Sequence, residues 1–326
     1  SGEKAIQSFF TEGRGVELRS KVSEAFWNDI THFEGNANAF RLLTHRYKGR
    51  RNGGFVMTYT MLSSIVKYPF SSSHEVCHGK FGFFHSEAES YRKIADELGI
   101  NCLSAPGEPL RYARHPLVYL VEAADDICYE VMDIEDAYKL KILSYAETEE
   151  LLLGFFDEET REGIRRRVID EGVTDVNERV VYMRACAIGK LENECVRVFV
   201  DHEDEILAGT FEGSLISHIS SACSEAYKRC AQVSKRRIYN SKPVLDVELS
   251  GYKIMETLMQ DLIEAAVSPE KFHSQQLIKR FSSQYEIESD DLETRIMAVI
   301  DYVSGMTDIY SLDIYQKING ISLPIV

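Results

Sequence analysis

The chain has 326 residues, of which 44% are hydrophobic and 10% aromatic, and this composition excludes an unfolded or low-complexity polypeptide. Its 37 basic and 52 acidic residues give a formal net charge of −15, which argues against attraction of the whole surface to nucleic acid or to an anionic membrane. No apolar run approaches the roughly 20 residues of a transmembrane helix, and the first residues lack a secretory signal, so we expect a cytoplasmic protein without a membrane partner.

Apolar residues recur at intervals of three and four along most of the chain, and this spacing predicts amphipathic helices. Clear examples occur, in chain order, at residues 22–30, 94–98 and 180–198. Helix starts are expected at Ser268-Pro269-Glu270 and at Ser289-Asp290-Asp291, and a helix end is expected at Gly99. The alternation that is typical of strands is confined to residues 80–84 and 244–249. We therefore predict an all-α fold with at most a small β hairpin. A loop rich in turn-forming residues, 103–109, precedes a helix that begins near His115 and suggests a division of the chain there.

The segment from His115 to Lys139 is the most informative part of the sequence. Pro116 stands at a helix-starting position, and seven of the fifteen residues from Glu122 to Asp136 are acidic. Like charges four residues apart destabilise an exposed helix, and apolar residues occupy most of the other angles around the axis. We therefore expect this helix to be largely buried, with a solvated acidic face as the alternative.

Asp125, Tyr129 and Asp133 are four residues apart and form one narrow stripe along this helix. Buried carboxylates require a hydrogen-bond partner, a counter-charge or a metal. One consistent division of roles would be a carboxylate that binds a hard cation, an aromatic ring that packs against a sugar, and a second carboxylate that accepts a hydrogen bond from a sugar hydroxyl. The spacing alone leaves the assignment of these roles open.

Four stretches of the sequence resemble one known family. Residues 122–137, which include Glu-Ala-Ala-Asp-Asp-Ile-Cys-Tyr and Asp-Ile-Glu-Asp-Ala, are similar to the signature helix of the HD-domain deoxynucleoside triphosphate triphosphohydrolases, specifically the deoxyguanosine triphosphate type. The other three are Phe-Glu-Gly-Asn-Ala-Asn-Ala-Phe-Arg-Leu-Leu at 33–43, Ser-Ile-Val-Lys-Tyr-Pro at 64–69 and Asp-Tyr-Val-Ser-Gly-Met-Thr-Asp-Ile-Tyr at 301–310. They occur in the order of the family and together span nearly the whole chain.

The resemblance implies an HD-domain-like helical fold in which residues 1–110 are the remainder of the catalytic lobe and residues 111–326 carry the last metal-ligand helix. It also implies a divalent metal, Mg²⁺ or Mn²⁺, and the hydrolysis of dGTP, or of dNTPs generally, to a deoxynucleoside and tripolyphosphate. Asp125 matches the final metal ligand, Tyr129 the tyrosine beside the deoxyribose, and Asp133 the aspartate that binds the 3′ hydroxyl. A paired structural acid is the alternative for Asp125.

The His-Asp signature of that family has no counterpart in this sequence, because none of the nine histidines is followed by aspartate. The first residues correspond to positions just after the signature, so we expect a C-terminal fragment that lacks three of the four metal ligands and is inactive alone. Glu3 matches the glutamate that follows the last histidine of the signature, and the resemblance implies a catalytic role for it in proton transfer. His74 and His78 have a metal-ligand spacing but no neighbouring residues of the family.

The resemblance also implies five substrate-binding residues outside the acidic helix. Lys67, Tyr68 and Lys80 match contacts to the triphosphate, although lysines are usually solvated. Asn36 is expected to face the nucleotide, with a helix-capping role as the alternative. Arg295 is a candidate for a contact to phosphate or to another subunit.

The expected partners are dGTP or another dNTP and further copies of the chain, since the family forms homo-oligomers, a hexamer among them. Basic clusters, such as that at Arg50 and Arg51, are candidates for contacts to single-stranded DNA or a regulatory nucleotide. Two other functions stay open. One is a non-catalytic helical assembly module that binds nucleotide or single-stranded DNA, and the other is a related metal-dependent phosphohydrolase, with which the Asn36 motif is less consistent.

Overall fold

The computed structural model is 67% helical and describes residues 2–321. Within this range no strand is formed, and the β-type pairings are isolated bridges such as Phe70–Arg111 and Cys102–Tyr112. The predicted all-α, HD-domain-like fold is therefore confirmed. Residue 1 and residues 322–326, the outer ends of the two predicted regions, lie outside the described residues.

The chain divides into two compact units, and the first is formed by the first and last parts of the described chain. Unit 1 comprises residues 1–114 and 247–326, and unit 2 comprises residues 115–246. The amino-terminal part of unit 1 contains α1 (Gly2–Thr11), α2 (Glu24–Thr31), α3 (Gly35–Thr44), α4 (Tyr59–Ser64) and α5 (Ala88–Leu98). Two 3₁₀ segments, Arg14–Lys21 and His85–Glu87, lie between these helices.

Unit 2 is made of α6 (Pro116–Lys139), α7 (Tyr145–Leu153), α8 (Glu158–Asp170), α9 (Val176–Asp201), α10 (Glu203–Ala208) and α11 (Ser221–Val233). A 3₁₀ turn, Leu215–His218, precedes α11, and a π-helical turn, Ser234–Ile238, follows it. The chain then enters α12 (Lys242–Val267) and continues through α13 (Phe272–Ile278), α14 (Leu292–Ser304) and α15 (Asp308–Ile318). The division into residues 1–110 and 111–326 stays a prediction, and it does not anticipate that the residues after 246 group with unit 1.

The two segments with strand-like alternation do not form strands. Residues 244–249 lie inside α12, and residues 80–84 are irregular except for an isolated bridge between Ser71 and Phe83. Pro243 is the second residue of α12, where its missing amide hydrogen costs no helical bond. The apolar residues that follow continue the helical repeat toward Leu258 and Leu262, and this longer pattern overrides the short alternation.

Local capping chemistry explains several of the helix ends. Asp291 accepts a hydrogen bond from the amide of Thr294 at 2.8 Å, so the predicted start of α14 is confirmed. Gly99 ends α5 in the left-handed conformation with φ of 68°, as expected of a terminal glycine. The helix start expected at Ser268-Pro269 is wrong, because the amide of Ser268 donates to Glu264 and belongs to the end of α12. The next helix begins only at Phe272.

Each unit has its own apolar core. In unit 1 the larger cluster combines residues of α1 and α2 with residues of α12 and α14, for example Phe10, Ile30, Leu262 and Val299. A second cluster of unit 1 surrounds the buried ring of Tyr91. The core of unit 2 consists mainly of side chains from α6, α7, α9 and α11. Among the described residues, no helix has the length and apolarity needed to span a bilayer.

Arg41 forms a buried ion cluster that joins distant parts of unit 1. Its Nε and Nη2 atoms donate to the two carboxylate oxygens of Asp301 at 2.8 Å each, and its Nη1 atom donates to Glu87 at 2.5 Å. The side chains of Arg41, Asp301 and Glu87 are 6%, 3% and 4% exposed. Because buried charges are tolerated only when they are paired, this cluster holds α3 against α14 and the 3₁₀ turn His85–Glu87.

Replacement of Asp301 should show how much of unit 1 depends on this cluster. The Asp301→Ala variant leaves the buried guanidinium of Arg41 without its bidentate partner, and we expect the free energy of unfolding to fall by about 3–5 kcal/mol. Urea denaturation followed by circular dichroism measures the loss. Asp308→Ala, at an exposed position of α15, is the control and should cost less than about 1 kcal/mol. Equal losses in the two variants would show that the ion cluster has no special role.

Candidate functional site

The first group of predicted site residues is organised around Glu34, the residue before α3. The carboxylate of Glu34 accepts hydrogen bonds from the backbone amide of Asn36 at 2.6 Å, from the Asn36 side chain at 2.9 Å and from Lys80 Nζ at 2.6 Å. Glu34 is fully buried, whereas the side chain of Lys80 is 48% exposed. The structure thus places Asn36 and Lys80 side by side, although 44 residues of chain separate them.

Glu3, in the first turn of α1, belongs to the same group. Its Oε1 atom accepts from the amide of Gly35 at 2.9 Å, and its Oε2 atom lies 3.8 Å from Lys80 Nζ. A Cβ atom on Gly35 would lie 2.6 Å from the Glu3 carboxylate, so the glycine permits this approach. We call Glu3, Glu34, Asn36 and Lys80 the Glu34 cluster.

The charge state of Lys80 is set by the acids of this cluster. Partial burial lowers the pKa of Lys80, but the hydrogen bond to Glu34 and the charges of Glu34 and Glu3 raise it overall. Lys80 is therefore a cation at neutral pH. A cation with donors left for a ligand is suited to an anionic group such as a phosphate.

Lys67 and Tyr68 lie at the end of a short segment after α4. Lys67 Nζ is 5.8 Å from the centre of the Tyr68 ring, and both side chains are half-buried. Tyr68 contributes to the electrostatic environment of Lys80, which places its phenol near the Glu34 cluster. A Cβ atom on Gly82 would lie 2.2 Å from the carbonyl oxygen of Tyr68, so the glycine allows the two segments to pack closely.

Asp29 of α2 holds both ends of the segment that carries Lys80. Its Oδ1 atom accepts from the hydroxyl of Ser72 at 2.6 Å, and its Oδ2 atom accepts from the amide of His85 at 2.7 Å. Asp29 is 2% exposed, and burial raises its pKa to about 7 even though both hydrogen bonds lower it. A cavity of about 180 Å³ adjoins it and is also lined by Arg41, His45 and His85.

The acidic helix α6 begins at Pro116 as predicted, but the expectation that it is largely buried is wrong. Its buried stripe includes Ala123, Ile127, Val131 and Ile134. Asp125 and Tyr129 are exposed, Tyr129 to 60%. Asp125 and Tyr129 each lie two residues from Ile127, or about 200° around the axis, so they fall on the face opposite the core. The buried acids of α6 are instead Glu130 and Glu135.

Tyr129 and Asp133 are linked through a residue that the sequence did not indicate. The hydroxyl of Tyr239 donates to Oδ2 of Asp133 at 2.5 Å. Burial raises the pKa of the Tyr239 phenol, and its hydrogen bonds with Asp133 and Tyr129 raise it further. Burial also raises the pKa of Asp133, and the bond from Tyr239 opposes this effect. Tyr129, Asp133 and Tyr239 thus form a second group, the Tyr239 cluster, in unit 2.

The guanidinium of Arg295, in α14, donates hydrogen bonds to backbone carbonyl groups. Its Nε atom donates to Ala266 at 2.7 Å, and its Nη1 atom donates to Ser289 at 2.7 Å and to Asp290 at 3.1 Å. These bonds tie the start of α14 to the end of α12. They give Arg295 a structural role, and a contact to phosphate or to another subunit stays a prediction.

The described residues do not by themselves form a metal site. In the range 2–321, no three His, Cys, Asp or Glu side chains are grouped so that they could hold an ion. Asp125 offers one exposed carboxylate, whereas Mg²⁺ and Mn²⁺ sites need several oxygen ligands. His74 lies in a loop, where its Nδ1 atom accepts from the amide of Val76.

Sequence reasoning missed Glu34 and Tyr239. Glu34 had a signal, because it precedes Gly35 and Asn36 in a recognised motif and could have been read as a cap of the next helix. Tyr239 had none, because 106 residues separate it from Asp133 and only the packing of unit 2 brings the two side chains together.

Known proteins are similar to this chain over most of its length. The phosphohydrolase-associated domain family matches residues 218–317. A deoxyguanosinetriphosphate triphosphohydrolase-like protein of Pseudomonas aeruginosa strain LESB58 is 33% identical, and the match covers 99% of this chain and 74% of that protein. A protein of the same description from Synechocystis is 30% identical over 99% of this chain and 73% of its own length. A deoxyguanosinetriphosphate triphosphohydrolase of Yersinia enterocolitica is 26% identical over 92% and 65%.

The all-α fold and the match to the phosphohydrolase-associated domain are typical of helical phosphohydrolase families of the HD type. The identity and coverage of the relatives show that the chain belongs to the deoxyguanosinetriphosphate triphosphohydrolase-like family. The resemblance seen in the sequence motifs is thereby confirmed at the level of the family.

The buried carboxyl of Asp29 predicts a specific pH dependence of stability. Its pKa is about 7 in the folded chain against 3.8 in a model peptide, so the folded state binds more protons between these values and its stability falls as the pH rises through them. Asp29→Asn removes this effect. We expect the free energy of unfolding of the variant, relative to the wild type, to be higher at pH 8 than at pH 5.

Urea denaturation at both pH values tests this expectation. Asp96→Asn, which changes an exposed aspartate of α5, is the matched control and should show the same difference from the wild type at both pH values. If Asp29→Asn behaves like this control, the carboxyl of Asp29 does not titrate in this range.

Proposed function

We propose that the protein is a metal-dependent triphosphohydrolase that converts dGTP, or dNTPs generally, to the deoxynucleoside and tripolyphosphate. The observation that carries the proposal is the Glu34 cluster, in which a cation, an amide and a partly exposed acid from three separate parts of the sequence lie together. Family membership supports the same chemistry, since the Yersinia relative is described as a deoxyguanosinetriphosphate triphosphohydrolase.

The residues of unit 1 are suited to the triphosphate. Lys80 is a cation. The motif at residues 64–69 adds a second positive charge, that of Lys67, and the phenol of Tyr68. Phosphate oxygens are bound most strongly by charged donors, and a chain with a net charge of −15 needs such donors locally. Asn36 uses one amide hydrogen on Glu34 and has another for a phosphate oxygen.

The residues of unit 2 are suited to the deoxyribose. Tyr129 is 60% exposed and presents an aromatic ring, and Oδ1 of Asp133 is left as an acceptor while Oδ2 holds Tyr239. A sugar 3′ hydroxyl would donate to that acceptor. A ring packed against the 2′ position would leave a ribose hydroxyl without a partner, which would favour deoxynucleotides.

In the proposed reaction, water attacks the α-phosphorus and the bond to the 5′ oxygen of the nucleoside breaks. The 5′ oxygen gains a proton and the three phosphates leave together as tripolyphosphate. Glu3 is the candidate to move a proton, because its carboxylate is 43% exposed and fixed by the amide of Gly35. We propose Mg²⁺ or Mn²⁺ as the family metal and Asp125 as one of its ligands, but the described residues do not complete a site.

The test is a hydrolysis assay of the protein, with any natural flanking residues, against the four dNTPs in the presence of Mg²⁺ or Mn²⁺. Anion-exchange chromatography should show tripolyphosphate and deoxynucleoside in equal amounts. Lys80→Met should lower kcat/KM at least about tenfold through a higher KM, and the control Lys93→Met, at an exposed lysine of α5, should not. Release of single phosphates, or no turnover of any dNTP, would contradict the proposal.

A second candidate function, binding of single-stranded nucleic acid or a regulatory nucleotide, is favoured by the loop after α3. The sequence has no acidic residue from Gly35 to His74. Arg46, Lys48, Arg50 and Arg51 are exposed and form no ion pair with any described residue. The guanidinium of Arg50 lies 4.8 Å from the ring centre of Phe55, which is itself 50% exposed. Cations beside an exposed ring are typical of surfaces that bind single strands.

Fluorescence anisotropy of a labelled single-stranded oligonucleotide tests this function. We expect binding that weakens with salt, and at least about tenfold weaker binding after the double change Arg50→Glu and Arg51→Glu. The double change Lys235→Glu and Arg236→Glu, at exposed positions of unit 2, is the control. Equal effects of the two pairs would indicate general charge attraction rather than a site. The homo-oligomer implied by the family stays an expectation.

A further inference from the structure

Glu34 combines complete burial with a set of partners that a helix cap does not need. It is the residue before α3, and its Oε2 atom accepts from the Asn36 amide as a capping side chain would. Serine, threonine, aspartate and asparagine are the usual residues at this position, and each would cap the helix with a shorter side chain. The longer side chain of Glu34 also reaches Lys80 Nζ and the Asn36 amide group through Oε1.

The two side chains that Glu34 binds are both proposed ligands of the triphosphate. A lysine has many rotamers, and an unpaired ammonium would be spread over them. The bond from Lys80 to a fully buried carboxylate selects one position, while two of its three donor hydrogens are left for a ligand. The bond from the Asn36 side chain fixes the orientation of its amide in the same way.

We propose that Glu34 is a positioning residue that sets the place of Lys80, and with it the binding of the triphosphate, without contacting the substrate. This inference rests on the proposed function, because it assigns Lys80 to phosphate binding. The geometry separates the two tasks of Glu34, since Oε2 serves the helix and Oε1 serves the side chains.

A double-mutant cycle with inorganic tripolyphosphate as the probe tests the proposal. Isothermal titration calorimetry measures its affinity for the wild type, Glu34→Gln, Lys80→Met and the double variant. Glutamine keeps an oxygen for Asn36 but loses the charge that holds Lys80. We expect Glu34→Gln alone to weaken binding by about tenfold, and to change it less than about twofold when Lys80→Met is already present.

Two further variants keep the result interpretable. Glu34→Asp retains the charge and the helix cap but is one methylene shorter, so it should fold normally and also weaken tripolyphosphate binding. Glu194→Gln is the matched control, because Glu194 is likewise buried and accepts from the Ser220 amide and from Lys190, in unit 2. It should leave the affinity for tripolyphosphate unchanged.

Each outcome decides the proposal. Coupled effects of the Glu34 and Lys80 changes support it. Additive effects, an unchanged affinity in Glu34→Asp, or the absence of tripolyphosphate binding by the wild type would overturn it. The hydrolysis assay is separate: a wild type that binds tripolyphosphate with coupled effects but hydrolyses no dNTP would contradict the proposed function and leave the role of Glu34 intact.

Discussion

The structure of unit 1 depends on the pairing of Arg41 with Asp301 and Glu87. The bidentate bond joins residues 260 positions apart, so the first and last parts of the chain form one unit around it. A buried guanidinium has a large desolvation cost, and only a nearly ideal arrangement of two carboxylates offsets it. The cluster therefore selects one arrangement of α3, α14 and the 3₁₀ turn His85–Glu87, in addition to whatever stability it contributes.

The same arrangement positions the Glu34 cluster. Glu34 stands immediately before α3, whose body is held by Arg41, and the segment that carries Lys80 ends at the turn that contains Glu87. Asp29 binds this segment at Ser72 and at His85, just beyond the buried rings of Phe81 and Phe84. Lys80 can therefore be half-exposed and still have a defined position, which is what a phosphate ligand requires.

Unit 2 shows a different balance between burial and exposure. The buried face of α6 is mainly apolar, and it also contains two acids, Glu130 and Glu135, that have partners. Asp125 and Tyr129 lie on the opposite face. Glu130 accepts from Ser234, and Glu135 pairs with Lys139 and Arg184, so the buried acids already have partners. Asp125 and Tyr129 are among the exposed residues of this helix, and the roles proposed for them require such exposure.

Periodicity in the sequence was sufficient to predict the helical class. Capping signals were sufficient for the start of α6 at Pro116, the end of α5 at Gly99 and the start of α14 at Asp291, because a helix cap depends on neighbours within one turn. The motifs were sufficient for the family. They could not show that α6 is buried on the side away from Asp125, since composition around a helix does not say which face meets a core. Only the tertiary structure decided that Glu34 joins Glu3, Asn36 and Lys80, and that Tyr239 binds Asp133. Those contacts join residues that are distant in the chain, and their geometry follows from packing rather than from local sequence.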